Sequence, residues 1–254
     1  MERYFEINEN GHNIRCKIYC SDLRSIQKIV VFLHGFGGHK DNSAARKFAE
    51  RMLSKTKGMA LVTFNWPAHG DDVKKKLCLE DCSAYLELTV RHLQNKYNPR
   101  ELYAYGTSFG GYLALKYIAE KGNPFRKIAL RCPAVNMFDV LTHTIISSGD
   151  LEKLQKGKDI PVGFDRKVPV SARFLEELRE NDIRRYDYLD YAEDMLILHG
   201  TQDEIVPYDD ACAFAEENLI EFISVPGADH RFRGQASMEQ AIKAILEFFQ
   251  QTPQ

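Results

Sequence analysis

Ser108 lies in the stretch Gly106-Thr107-Ser108-Phe109-Gly110, with a glycine two residues away on each side. A short apolar run, Leu102 to Tyr105, precedes it, and a helix-like run from Gly111 to Ala119 follows. A serine on the turn between strand and helix has the form of a nucleophile elbow. The turn must be sharp enough to lift the hydroxyl off the end of the sheet. Side chains at 106 or 110 would strike the neighbouring strand and helix or forbid the turn's backbone angles.

A serine hydroxyl needs a base to become a nucleophile, and the base needs an orienting group. Met195-Leu196-Ile197-Leu198-His199 is an apolar run of strand length, and Gly200-Thr201-Gln202-Asp203 reads as the loop that leaves it. A second strand-like run, Leu219 to Val225, opens into Pro226-Gly227-Ala228-Asp229-His230. The order Ser108, Asp203, His230 is the order expected for this elbow. His230 would take the proton from Ser108 and return it to the leaving group, while Asp203 would fix the imidazole tautomer. Asp229 is set aside because adjacent residues seldom point the same way. His230 is preferred to the seven other histidines for its late position after a strand; His34 and His199 read as structural. The bland readings are a turn serine at 108 and a helix cap or surface acid at 203.

Acyl transfer also needs donors aimed at the developing oxyanion. Lys28 to Leu33 is a near-continuous apolar run, as expected of a buried parallel strand, and it ends in His34-Gly35-Phe36-Gly37-Gly38. The backbone N–H groups of Phe36 and Phe109 are the predicted oxyanion donors.

These residues need a scaffold to bring them together. An initial hairpin over 3–8 and 13–19 turns at Asn10-Gly11. Strand-like runs recur near 28–33, 59–64, 101–105, 127–132, 195–199 and 220–225. Helical patterns fall near 43–55, 79–96, 109–121, 209–217 and 236–250. Alternation of this kind implies an α/β chain with a mostly parallel sheet and helices on both faces. The stretch 137–187 breaks the alternation; it is too long for an ordinary connection and holds extended pieces near 160–164 and 168–170.

At 254 residues with 44% hydrophobic content, the chain has enough material for a sizeable core, and one domain over 1–254 is expected. The formal charge of −2 and the lack of a basic stripe argue against nucleic acid. Lys74-Lys75-Lys76 follows Asp71-Asp72 and reads as a solvated loop. The start, Met1-Glu2-Arg3-Tyr4-Phe5, lacks the features of a signal peptide, and no apolar run approaches the roughly 20 residues that span a bilayer, so a cytoplasmic location is expected. The six cysteines lack the spacing of structural zinc sites and are expected to be reduced thiols, with no metal bound.

From the His34-Gly35 loop to the His230 loop the chain resembles the α/β-hydrolase superfamily. Asn65-Trp66-Pro67-Ala68-His69-Gly70-Asp71 resembles the loop after the family's next strand. Within it the chain looks most like small carboxylesterases, cinnamoyl and feruloyl esterases and monoacylglycerol-lipase-like enzymes among them. Thr107 and Phe109 depart from the His and the Gln or Met associated with many of those elbows. The resemblance implies an α/β-hydrolase fold with a central sheet of about eight strands and a small cap inserted at 137–187. It implies a serine esterase that forms an acyl-enzyme from a small ester and needs no cofactor. Met137, Phe138, His143 and Phe164 are expected to contact substrate from the cap. Phe36, Phe109 and an aromatic cap suggest an apolar pocket, able to take a hydroxycinnamoyl group. A thioesterase, amidase or peptidase would use the same three residues, and a catalytically silent binding protein is the reading from a different class.

Overall fold

The computed structural model describes residues 1–164 and 166–251. Strand β1 (Glu2–Glu9) pairs antiparallel with β2 (His12–Cys20). Their turn carries Asn10 at φ 51° and Gly11 at φ 76°, the two left-handed residues that a tight hairpin of this twist requires. The chain then alternates: β3 (Lys28–Leu33), α1 (Ser43–Lys55), β4 (Met59–Phe64), α2 (Leu79–Tyr97), β5 (Glu101–Thr107), α3 (Phe109–Lys121) and β6 (Lys127–Arg131). After a long excursion come β9 (Met195–Gly200), α7 (Tyr208–Glu217), β10 (Glu221–Val225) and α8 (Gln235–Gln250).

The main sheet has eight strands in the order β1-β2-β4-β3-β5-β6-β9-β10. Antiparallel pairing is confined to β1–β2 and β2–β4; the remaining strands are parallel. Both faces are covered, which explains why β3 reads as one apolar run. Ile29, Val31 and Leu33 join the core beneath α2, α3 and α7, while Val30 and Phe32 join the core beneath α1 and α8. The sheet expected from alternation is the sheet observed.

The excursion between β6 and β9 is more ordered than its sequence suggests. It contains α4 (Met137–Asp139), which runs into a π-helical stretch at Val140–Ile145, then α5 (Ser148–Gln155). The two extended pieces pair as an antiparallel ribbon, β7 (Ile160–Val162) with β8 (Val168–Val170). Last comes α6 (Ala172–Glu180), whose Ser171 side chain accepts from Phe174 N–H at its start. Leu154, Ile160, Val170, Phe174 and Leu178 are buried in the same cluster as α2 and α3. Two polar ties add to this packing: Leu79 N–H donates to Glu177 at 2.9 Å, and Tyr112 OH donates to Asn181 O at 2.9 Å. No described helix is long and apolar enough to cross a membrane.

Candidate active site

Ser108 occupies the turn between β5 and α3 at φ 52° and ψ −118°, a conformation that costs a non-glycine residue about 1–3 kcal/mol. The packing on each side explains why the chain holds it. A Cβ placed on Gly110 would lie 2.1 Å from Leu33 O, at the end of β3. One on Gly106 would lie 3.0 Å from Gly111 Cα. The two glycines therefore let strand, turn and helix close on one another, as expected from the motif. Ser108 N–H donates to Arg131 O at 3.0 Å, which extends the β5–β6 ladder through the turn.

The Asp203 and His230 loops are tied to each other by backbone. Thr201 N–H donates to Val225 O at 3.1 Å, and Gln202 N–H to Ala228 O at 3.0 Å. Gly200 permits this approach, since a Cβ there would lie 2.3 Å from Ala228 O. His230 Nδ1 donates to Asp203 Oδ2 at 2.7 Å, and the carboxylate is fully buried. Its other oxygen accepts from Ile205 N–H at 2.9 Å and Val206 N–H at 2.8 Å. Burial alone would raise the Asp203 pKa; the hydrogen bonds from His199 and His230 outweigh it and hold the carboxyl well below the usual carboxylate range.

His199 is the partner that sequence reasoning left aside. Its Nε2 stands 3.1 Å from Asp203 Oδ2 and 3.1 Å from Val206 O, both acceptors, so Nε2 carries the proton. The signal available in the sequence was its spacing, four residues before Asp203 across a strand end.

Ser108 and His230 front one cavity of about 260 Å³. Their side chains share no hydrogen bond among the described contacts, a separation common before substrate arrives. The glycine-rich loop forms another wall. Gly35 C=O accepts from Gly38 N–H at 3.0 Å and from His34 Nδ1 at 2.9 Å. Trp66 N–H meets His34 Nε2 at 3.4 Å, which leaves the ring proton on Nδ1. With its carbonyl held from one side, the trans Gly35–Phe36 peptide aims Phe36 N–H the other way. Phe109 is the first residue of α3, so its N–H has no acceptor within the helix. Gly37, at φ 73°, supplies the left-handed third position of the turn.

Of the four residues expected to touch substrate, Phe164 fronts this cavity and is 54% exposed. Met137 and Phe138 instead line a separate cavity with Tyr112 and Arg184, because the turn after β6 carries them toward α6. His143 is exposed on the π-helical stretch, 3.7 Å from Asp139. Phe36 fronts the same cavity, whereas Phe109 does not. The Phe109 ring is buried against Phe36, Tyr112 and Phe174, and Arg131, Arg166 and Arg231 front the cavity.

Cys132, Asp203 and His230 bring their ligand-type atoms within 4.8 Å of one another. Burial, and then the Asp203 charge, push the Cys132 thiol well up, so it stays protonated, and His230 Nδ1 is committed to Asp203. Metal ligation here would need a thiolate at Cys132, so the donor set suits a metal poorly.

The fold recurs in solved structures of low sequence identity. Est1E from Butyrivibrio proteoclasticus, in a structure with ferulic acid bound, matches with a TM-score of 0.76 at 18% identity over 96% of this chain and 97% of that one. A soluble variant of monoglyceride lipase from Saccharomyces cerevisiae, in complex with a substrate analog, matches at 0.71 and 14% identity, over 97% and 94%. Monoacylglycerol lipase abhd6-B of Xenopus laevis is 23% identical over 182 residues, 71% of this chain and 50% of that protein, so the chain spans about half the length of this curated relative. The architecture is that of the α/β-hydrolases, and the prolyl oligopeptidase family model matches residues 56–254. The chain belongs to the prolyl oligopeptidase family within that fold.

Proposed function

We propose that the chain is a serine hydrolase that cleaves small carboxylic esters through an acyl-enzyme on Ser108. The carrying observation is the strained Ser108 turn fronting one cavity with His230, whose Nδ1 is held by the buried Asp203 at 2.7 Å. His230 Nε2 accepts the Ser108 proton as Oγ attacks the ester carbonyl, and Asp203 stabilises the imidazolium that forms. Phe36 and Phe109 N–H receive the oxyanion. The alcohol leaves with the proton from His230, and water then attacks the acyl-enzyme by the same route in reverse. The names of the esterase and lipase relatives support this reading, and no step calls for a cofactor.

The segment 137–187 acts in this reading as a partial cap through the β7–β8 ribbon, with Phe164 as its substrate contact. The family name favours a second arm of the test, peptide amides. Initial rates are measured on esters from acetyl through octanoyl to methyl ferulate, and on a prolyl peptide amide, with Ser108→Ala protein as the blank. Ser108-dependent ester hydrolysis bears out the proposal. Faster cleavage of the amide moves it to a peptidase, and no Ser108-dependent rate on either sinks it in favour of a silent scaffold.

A further inference from the structure

Arg131 is the last residue of β6, fronts the cavity with Ser108, and is only 7% exposed. Its Nη1 reaches Met238 Sδ at 3.5 Å, a weak acceptor, and the guanidinium lies 5.1 Å from the centre of the Phe232 ring. Its Nε is buried with no hydrogen-bond partner. Among the described residues no carboxylate pairs with it. Taking a guanidinium out of water is costly unless a counter-charge meets it. Here the Phe232 ring face and Met238 offset only part of that cost, beside the candidate nucleophile.

The rest of the cavity has the same sign. Arg166 fronts it and is exposed. Asn42 and Ser43, at the start of the 13-residue helix α1, front it as well, and a helix start carries partial positive charge. None of the described residues fronting the cavity is Asp or Glu. The oxyanion of acyl transfer does not account for this charge, since Phe36 and Phe109 N–H serve it on the β3 and α3 side. Arg131 instead reaches toward Phe232 and Met238, under the His230 loop.

We infer that the substrate of this site is a small ester that carries an anionic group, such as a carboxylate, and that Arg131 is its counter-ion. This rests on the serine-hydrolase reading. The anionic group takes no part in the reaction; it anchors the ester while the carbonyl meets Ser108. Arg166, being exposed, adds long-range attraction and not a buried contact. A volume of about 260 Å³ limits the group that carries the charge to a short chain or one ring.

The test compares esters that differ only in charge. For an anion on the acyl side, mono(4-nitrophenyl) adipate is set against the corresponding adipamate. For an anion on the alcohol side, 3-acetoxybenzoate is set against 3-acetoxybenzamide. The charged member of at least one pair is expected to show about tenfold higher kcat/KM, as a charge-assisted hydrogen bond would give. Salt should narrow the gap, Arg166→Ala should narrow it further, and Arg131→Gln should bring the ratio toward one. Equal or faster hydrolysis of both neutral members overturns the inference while leaving the esterase reading intact. If nothing turns over, the esterase reading fails, and thermal shift of Ser108→Ala protein decides the anion site by itself. A rise in Tm with adipate or 3-hydroxybenzoate, absent with 3-hydroxybenzamide and lost with Arg131→Gln, supports the site; no such rise overturns it. Should Arg131→Gln not fold, Arg131→Lys keeps the charge but loses the planar fork and should shrink the ratio several-fold; an unchanged ratio overturns Arg131 as the counter-ion.

Discussion

His199 and His230 donate to the same oxygen of Asp203, at 3.1 Å and 2.7 Å. One imidazole faces the cavity and the other is buried at the end of β9. With Ile205 and Val206 N–H on the second oxygen, the carboxylate is fully engaged and its plane is fixed. A hydrogen bond to a charged group is worth about 1.5–3 kcal/mol. His199→Phe keeps the ring volume and its packing against Tyr208 and Phe222 but removes the donor. It should lower kcat roughly tenfold and cost about 2 kcal/mol of stability, and His199→Gln should recover part of the rate. Full activity in a folded His199→Phe protein would remove His199 from the positioning of Asp203.

The Ser108 backbone trades stability for geometry. At φ 52° a glycine is relaxed where serine is strained, so Ser108→Gly should raise stability by about 1 kcal/mol in urea titrations while ester turnover disappears. A destabilised Ser108→Gly protein would mean that the turn is not strained.

Two glycines in helices should respond in opposite directions to alanine. Gly110→Ala puts a methyl 2.1 Å from Leu33 O, forces β3 and α3 apart, and should cost several kcal/mol or prevent folding. Gly149, in α5, has nothing within 4 Å of an added Cβ, and Gly149→Ala should stabilise by about 0.5–1 kcal/mol. Melting temperatures of the two variants check both directions.

Acid sensitivity should track buried imidazoles near the oxyanion loop. Burial lowers the His69 pKa from 6.5 to about 4, and its Nε2 has no partner. Between those values the unfolded chain binds a proton that the folded chain refuses. Stability is therefore whole above pH 6.5 and falls by about 3 kcal/mol toward pH 4, with no further loss from this group below. His34 is shifted in the same direction by burial and adds to the slope. His69→Phe, which keeps an aromatic ring between Phe36 and Phe109, should flatten the urea-measured slope between pH 6.5 and 4.5. An unchanged slope would show that His69 stays paired or hydrated in the folded protein.

The order of strands and helices, the hairpin at Asn10-Gly11 and the candidate residues Ser108, Asp203 and His230 are all legible in the amino-acid pattern. Those features are local: an apolar run of strand length, a turn that only glycine fits, and a polar residue at a strand end are each legible within a dozen positions. Other features exist in no window of sequence and come from packing in three dimensions. Tertiary structure packed the described residues of 137–187, where Leu154, Ile160 and Phe174 gain their partners from α2 and α3 and not from neighbours in the chain. It set His199 behind Asp203, sent Met137 and Phe138 to a different cavity from Ser108, and turned Phe109 into the core. It also gathered Arg131, Arg166 and Arg231 around one cavity from three separate stretches of chain. Charge in a site is a sum over neighbours in space, and the sheet order that makes these residues neighbours depends on every strand pairing at once.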